Sequence, residues 1–527
     1  MTNTSSPLSA GRQFFFAGLV IVVIAIIAAI PAFNRSAPLA KASEIVELKN
    51  GDTYDLVMDE VTKEINGTAY AMLAYNGSIP GPLIKIAQGA EVTINFKNKS
   101  AIPTMLHSHG VRMDNAFDGS QSTQKEIPPS GSFTYVLKFP DAGMYWYHPH
   151  VRDDYAQELG AYGQYLVVPE DENYWPPVNR EVALFLDDIL IEDGSTSLTT
   201  SGKINISAKK ADRTLMGRFG NVMLINGEPD YVLNAQKGEV VRLYLTNAAN
   251  TRPFNFAIPG TKMKLVGGDS GAYEKAQWVE SVLIGPSERA TMDVLVTENA
   301  AMVNQTPDGT TTLGTIAASD EPIGTSYAIE FNQLQENVAT KTSIDPFRSY
   351  FTKEPDKRVA LTVDMMGTMA GGGHGARMMT NGSMMGGMMG GVPEEGIEWD
   401  DSDTSMMNHM SNADSVKWNI IDQGTGKKNM DIDWTFKKGE PVKIRITNDA
   451  KSMHPMQHPI HFHGQRFLVV SRDGVPQRNL VWKDTVLVKA GETVDIILDT
   501  SNPGTWMAHC HILEHIEAGM MLTFKVE

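Results

Sequence analysis

Cysteine is almost missing from this chain, with one residue, Cys510, in 527. A lone cysteine excludes an internal disulfide framework and leaves a thiol that is buried, reactive or bound to a metal. Histidine is missing between Val151 and Gly373, although the chain holds 13. Basic runs are missing too. Lys and Arg total 45 against 62 Asp and Glu, a net charge of -17, which excludes a nucleic-acid partner and suits small or cationic ones. Charged residues at 20% and hydrophobic ones at 42% are ordinary globular usage, so a disordered or fibrous chain is excluded as well. No long amphipathic helix competes with the 46 Gly and 27 Pro, which favour many short strands. The length implies about three domains. Methionine is the excess, with 29 residues.

Long apolar runs are confined to Phe14 to Phe33, 20 uncharged residues between Arg12 and Arg35. That is enough to span a bilayer and longer than the usual secretory core of about 7 to 15 residues. Ala40-Lys41-Ala42 offers a small-x-small cleavage site before Ser43. Residues 1–43 are therefore expected to be a signal peptide or a membrane anchor, forming an N-terminal hydrophobic helix. Either exports the rest of the chain to a periplasmic or other extracytoplasmic location.

Three segments repeat one pattern: Gln88 to Asn98, Lys237 to Asn247 and Lys438 to Asn448. Each is a Gly turn followed by an alternating strand. A second strand follows Pro129-Ser130-Gly131, Pro286-Ser287-Glu288 and Ala490-Gly491-Glu492. Duplicated β-sandwich domains with Greek-key strand order are the natural home of such text. The copies begin at Gly89, Gly238 and Gly439, and the second interval is about 52 residues longer than the first. A Met-rich tract, about 364–413, is nearly that long and is read as an insertion into the third domain. The expected domains are 44–172, 173–345 and 346–527.

Random placement of 13 histidines would give about 0.3 His-x-His pairs. The chain has four: His107/His109, His148/His150, His461/His463 and His509/His511. On a strand, residues i and i+2 point the same way, so each pair presents two imidazoles to one place, as metal ligation requires. The pairs also obey the repeat. Gly143 precedes His148 by five residues, as Gly504 precedes His509, so the first and third domains carry matching halves of one site. The middle domain repeats the scaffold without ligands and is read as a spacer or a shaped surface. Pleating sends Cys510 to the face opposite His509 and His511, towards a different centre. His458, Cys510, His515 and Met520 then supply two imidazoles, a thiolate and a thioether, the set of a blue-copper electron-transfer site. The other eight histidines are too many for one ion and suit a copper cluster with open positions for dioxygen.

At these residues the chain resembles the three-domain multicopper oxidases, cupredoxin-fold enzymes that include laccases and bacterial copper-efflux oxidases. The resemblance spans about residues 44 to 527. It implies four copper ions: type 1 on His458, Cys510, His515 and Met520; type 2 on His107 and His461; and a type 3 pair on His109, His148, His150, His463, His509 and His511. It also implies one-electron substrate oxidation at type 1 and reduction of dioxygen to water at the trinuclear cluster, with Cys510 as the electron path. Copper nitrite reductases are shorter two-domain chains without the full histidine set. A copper-buffering protein would use the methionines without catalysis.

Asp118, nine residues beyond His109, lies where related enzymes place an acid near type 2, and dioxygen reduction consumes protons. Glu514 and Glu517 flank His515 as ligand-orienting or proton-relaying acids. Some relatives carry an acid directly after this histidine, where Ile516 stands here. Twelve methionines fall within residues 365 to 410. Thioethers select Cu(I), so Met378, Met379, Met384, Met385, Met388 and Met389, with Met453 and Met456 before His458, are candidate ligands for a Cu(I) substrate. The expected function is a monomeric metallo-oxidase taking Cu(I) or another small reductant and dioxygen. A laccase-like oxidase of phenols or aromatic amines is the alternative.

Overall fold

The computed structural model describes residues 1–2, 37–191, 211–365, 392–402 and 404–527. The apolar run Phe14 to Phe33 and Met378, Met379, Met384, Met385, Met388 and Met389 lie outside the described residues. Among the described residues, no helix is long and apolar enough to cross a membrane.

The architecture is all-β, with six sheets in cupredoxin-like sandwiches. Four- and five-stranded sheets hold the first domain's strands, and six- and five-stranded sheets hold those of the middle and third domains. The repeated text becomes repeated structure. Gly89, Gly238 and Gly439 all turn with positive φ (82°, 89° and 78°), a conformation that glycine adopts without a Cβ clash. Each turn leads into a strand, Glu91–Asn98, Val240–Asn247 or Val442–Asn448. Each strand pairs antiparallel with the domain's second repeated strand, Ser132–Lys138, Arg289–Leu295 or Thr493–Asp499. On its other side it pairs parallel with an earlier strand, Thr53–Ile65, Arg180–Ile189 or Lys357–Met365.

The asparagine that closes each copy has a structural task. The Nδ2 groups of Asn98, Asn247 and Asn448 each donate to two carbonyls: Ile102 and Ile127, Arg252 and Ile284, and Met456 and Val488. A buried amide that satisfies two otherwise lone carbonyls fixes the loop leaving the strand. In the first and third domains those loops lead to the histidine strands.

The Met-rich insertion occupies the connection between two adjacent strands, Lys357–Met365 and Val416–Asp422. The middle domain has its own excursion at the equivalent connection, between Arg180–Ile189 and Val222–Ile225. The two excursions meet. Arg213 N–H donates to Ser411 O (3.0 Å), Ala413 N–H to Ala211 O (3.1 Å), and Asn408 Nδ2 to Gly217 O (2.9 Å). The joined segments lie against the third-domain core, where Leu215, Met216 and Phe219 pack in one cluster with Trp418, Cys510 and Met520.

Candidate metal centres

Four short strands carry the cluster histidines or end one residue before them. In the first domain Leu106–His109 runs antiparallel to Gly143–Pro149, with His107 opposite His148. In the third domain His458–Phe462 runs antiparallel to Gly504–Cys510, with His461 opposite His509 and Ile460 opposite Cys510. Opposite residues share a face and neighbours alternate. His461 and His509 therefore face one way, towards the first domain's histidines, while His458 and Cys510 face the apolar core.

On the first face, eight buried imidazoles converge. His150, His463 and His509 form one triangle, with ring centres 5.0 to 5.4 Å apart, and His109, His148 and His511 another, at 5.1 to 5.7 Å. His107 stacks on His463 at 4.0 Å and His461 on His109 at 3.7 Å, so the remaining pair sits between the triangles. Ligand atoms of His107, His461 and His463, and of His150, His463 and His509, come within 4.8 Å of one another.

The donor atoms fit metal ions. Nε2 of His107, His148, His150 and His461, Nδ1 of His109 and both nitrogens of His511 are buried without a hydrogen-bond partner among the described residues. His463 and His509 aim Nε2 at each other across 2.9 Å. So many unpaired buried nitrogens would be strongly destabilising unless an ion accepts them. The opposite nitrogens are tied down. Nδ1 of His107 bonds Asp118 O (2.7 Å), that of His148 Pro149 O (2.7 Å), that of His461 Asp484 O (2.9 Å), and that of His509 Cys510 O (2.8 Å). Such outer bonds fix the tautomer and aim the free nitrogen inward. Burial keeps the rings neutral, pushing His107 down to about 3 and His509 to about 4.

Asp118 is fully buried, and its Oδ2 accepts from His463 Nδ1 at 3.0 Å, so one residue orients His463 by its carboxylate and His107 by its carbonyl. Glu514 turns away into an interdomain network with Asn250 (3.3 Å) and Arg218 (3.7 Å), where burial outweighs the arginine and pushes it up to about 8. Glu517, pushed up to about 7 by burial, lines a cavity with His150 and Asp153.

Asp484 is a further member that sequence reasoning misses. Its Oδ1 accepts from His109 Nε2 at 3.0 Å, and the carboxylate is gripped by Arg289 from the middle domain, with Nη1 at 2.7 Å. The middle domain is thus more than a spacer, because its arginine holds the acid that orients a first-domain histidine. The one available signal was an acid at the head of the apolar strand Thr485–Val488.

On the second face, Cys510 Sγ lies 3.6 Å from His458 Nδ1 and 3.7 Å from His515 Nδ1. Met520 is buried beside them, its carbonyl accepting from Cys510 N–H at 3.1 Å. Ile512 N–H points at the sulfur (3.4 Å). Burial in this apolar pocket pushes the thiol up despite that donor, so the thiolate here depends on a bound cation. Trp418 stacks on His515 (4.3 Å, 28°) and meets His458 edge-on (4.7 Å), and its Nε1 donates to Thr214 O at 2.8 Å. Of the two methionines before His458, Met456 is fully buried in the core, and only Met453 reaches solvent.

A soft-donor site set back to back with an eight-histidine cluster, inside paired β-sandwiches, defines a metal-dependent redox protein. Residues 57–172, 198–321 and 399–527 each match the multicopper oxidase family. The chain belongs to that family, whose members are copper-containing oxidoreductases that use dioxygen. It is 26% identical to multicopper oxidase MmcO of Mycobacterium tuberculosis, over 97% of this chain and 95% of that one. It is 24% identical to copper resistance protein A of Escherichia coli, over 99% and 100%. A solved multicopper oxidase from Campylobacter jejuni, described as a metallo-oxidase, shares the fold with a TM-score of 0.68 at 22% identity, covering 94% of this chain and 98% of that one.

Proposed function

We propose that this chain is an exported metallo-oxidase that takes electrons from Cu(I) and passes them to dioxygen. When bound, copper supplies one-electron transfer at the soft site and four-electron reduction of dioxygen at the histidine cluster. His458, Cys510, His515 and Met520 would hold the type 1 ion. His107 and His461 would hold type 2, and the triangles His109/His148/His511 and His150/His463/His509 the type 3 pair. Cys510 joins the two centres directly through its backbone to His509 and His511. Asp118, Asp484 and the carbonyls of Pro149 and Cys510 orient imidazoles. Asp118 and Glu517 are the carboxylates placed to deliver protons towards the cluster.

The observation that carries the choice of Cu(I) is the cover over the soft site. His458 and His515 are 1% and 0% exposed, shielded by Trp418 and the joined excursions, so no organic ring reaches their edges. The cover itself offers thioethers. On the helix Ser405–Met410, buried Asn408 pins the inner side to Met216 and Gly217, while Met406 and Met410, one turn apart, are 79% and 61% exposed. Soft ligands on the outer surface of an otherwise closed lid suit a monovalent copper ion.

Steady-state oxidation of Cu(I), Fe(II) and a phenol, measured with and without residues 365–410, tests this reading. Loss of Cu(I) oxidation with retained or increased phenol oxidation is expected. Unchanged Cu(I) kinetics in the deletion would defeat it and favour a laccase-like enzyme.

A further inference from the structure

A cavity of about 420 Å³ opens between the first and third domains, beside His150 of the histidine cluster. Its floor includes His150, and its walls carry Met430, Met507 and Met521 with the carboxylates of Asp153 and Glu517. The strand register explains why thioethers gather there. His509 stands opposite Met521, and Met507 opposite Thr523, in the antiparallel pair Gly504–Cys510 and Met521–Val526. Met507, His509 and Met521 therefore share the face that carries the cluster. Met430 comes from the turn Asn429–Asp431 and is 54% exposed, at the solvent end.

Asp153 supplies an independent sign of a ligand. It is 5% exposed and lines the cavity, yet its Oδ1 accepts no hydrogen bond from any described residue. Its Oδ2 lies 3.9 Å from His150 Nδ1. A buried carboxylate oxygen without a donor is destabilising, and a cation relieves it. Three neutral thioethers and one carboxylate give a soft, singly charged donor set, which matches a monovalent soft ion and discriminates against harder divalent ones.

We propose that this cavity binds Cu(I) through Met430, Met507, Met521 and Asp153, and that the ion passes from it to His150 when the histidine cluster is first filled. None of these four residues belongs to the Met-rich insertion. Only the passage rests on the reading that the eight histidines hold copper.

Ag(I), a soft monovalent ion that does not turn over, is the probe. Crystals of the copper-loaded protein soaked with Ag(I) are expected to show anomalous density for silver in the cavity, bonded to Met507 and Met521, and none there in Met507→Leu/Met521→Leu, a nearly volume-conserving change. Silver elsewhere in the wild-type crystal with an empty cavity overturns the site. For the passage, the full chain stripped of copper is refilled anaerobically from a Cu(I) complex. Met430→Leu/Met521→Leu should slow filling of the histidine cluster roughly tenfold, while the blue absorption of the soft site, read after aliquots freed of unbound copper are oxidised with ferricyanide, returns at the wild-type rate. Equal cluster-filling rates overturn the passage. Histidines that take up no copper in the wild type overturn the passage and the histidine reading together, while the silver result still decides the cavity site.

Discussion

The two faces of the strand Gly504–Cys510 hold their donors by different means. On the Cys510 face the ligands are packed: an apolar core surrounds the sulfur, and Trp418 lies flat on His515. On the His509 face the ligands are wired, with outer ring nitrogens bonded to carbonyls or to Asp118 and Asp484. Packing tolerates small shape changes but responds to lost volume. Hydrogen bonds to a ring nitrogen fix its direction and fail when one atom changes. Damage to one face should therefore leave the other readable.

The severest break is Cys510→Ser. It should abolish the blue absorption and the oxidation of every reductant, while metal analysis still finds copper on the histidines. A colourless wild-type protein after copper loading would contradict the assignment.

Copper removal comes next. The buried rings sit far below 6.5, with His107 and His458 near 3 and His509 near 4. Between that range and pH 6.5 the unfolded chain binds more protons than the folded one. Stability of the copper-free protein should therefore fall as pH drops through this window, by up to about 1.4 kcal/mol per pH unit for each ring. Glu158 and Glu514, pushed up to about 8 by burial, act in the opposite sense as pH rises from 4.5 towards 8. Denaturant melts across pH, with and without copper, measure the difference. A copper-free protein whose stability is flat from pH 6.5 to 4 would contradict the burial of neutral rings.

Trp418→Ala tests the packed face. Loss of a fully buried indole should destabilise the protein by about 3–5 kcal/mol and perturb the blue band, with the cluster's spectroscopic signals unchanged. The smallest effect on the copper centres belongs to one carboxylate on the other face, Asp484, which bonds His109 and Arg289. Asp484→Asn should weaken copper binding at His109 by about 10–100-fold, read by metal titration, and leave the blue band as in the wild type. A bleached blue band in Asp484→Asn would erase the distinction between the faces.

Much of this was legible in the chain. Four His-x-His pairs, the pleat that turns Cys510 away from its neighbours, and three Gly-led strands ending in Asn are local patterns, and local patterns survive in one dimension. Asp484, Arg289 and Trp418 left no such trace. Each meets a residue brought near only by tertiary folding: His109 is 375 positions from Asp484, Thr214 204 from Trp418, and Asp484 195 from Arg289. The middle domain's excursion was equally silent, because its meaning comes from the Ser411 and Asn408 contacts that it makes. Glu514 and Glu517, one and two positions from the same ligand, were not distinguished in role by the sequence, yet a helical turn sends them to different neighbourhoods.

His107 and His511 share one cluster although the chain between them includes a whole ligand-free domain. During synthesis the first domain's four imidazoles are made long before the strand that completes their site. Until the last turn of chain emerges, that half-site is an open mouth of neutral nitrogen donors. Completion of the cluster is thereby deferred to the finished polypeptide, and a chain that stops short of His509 and His511 lacks one ring of each triangle.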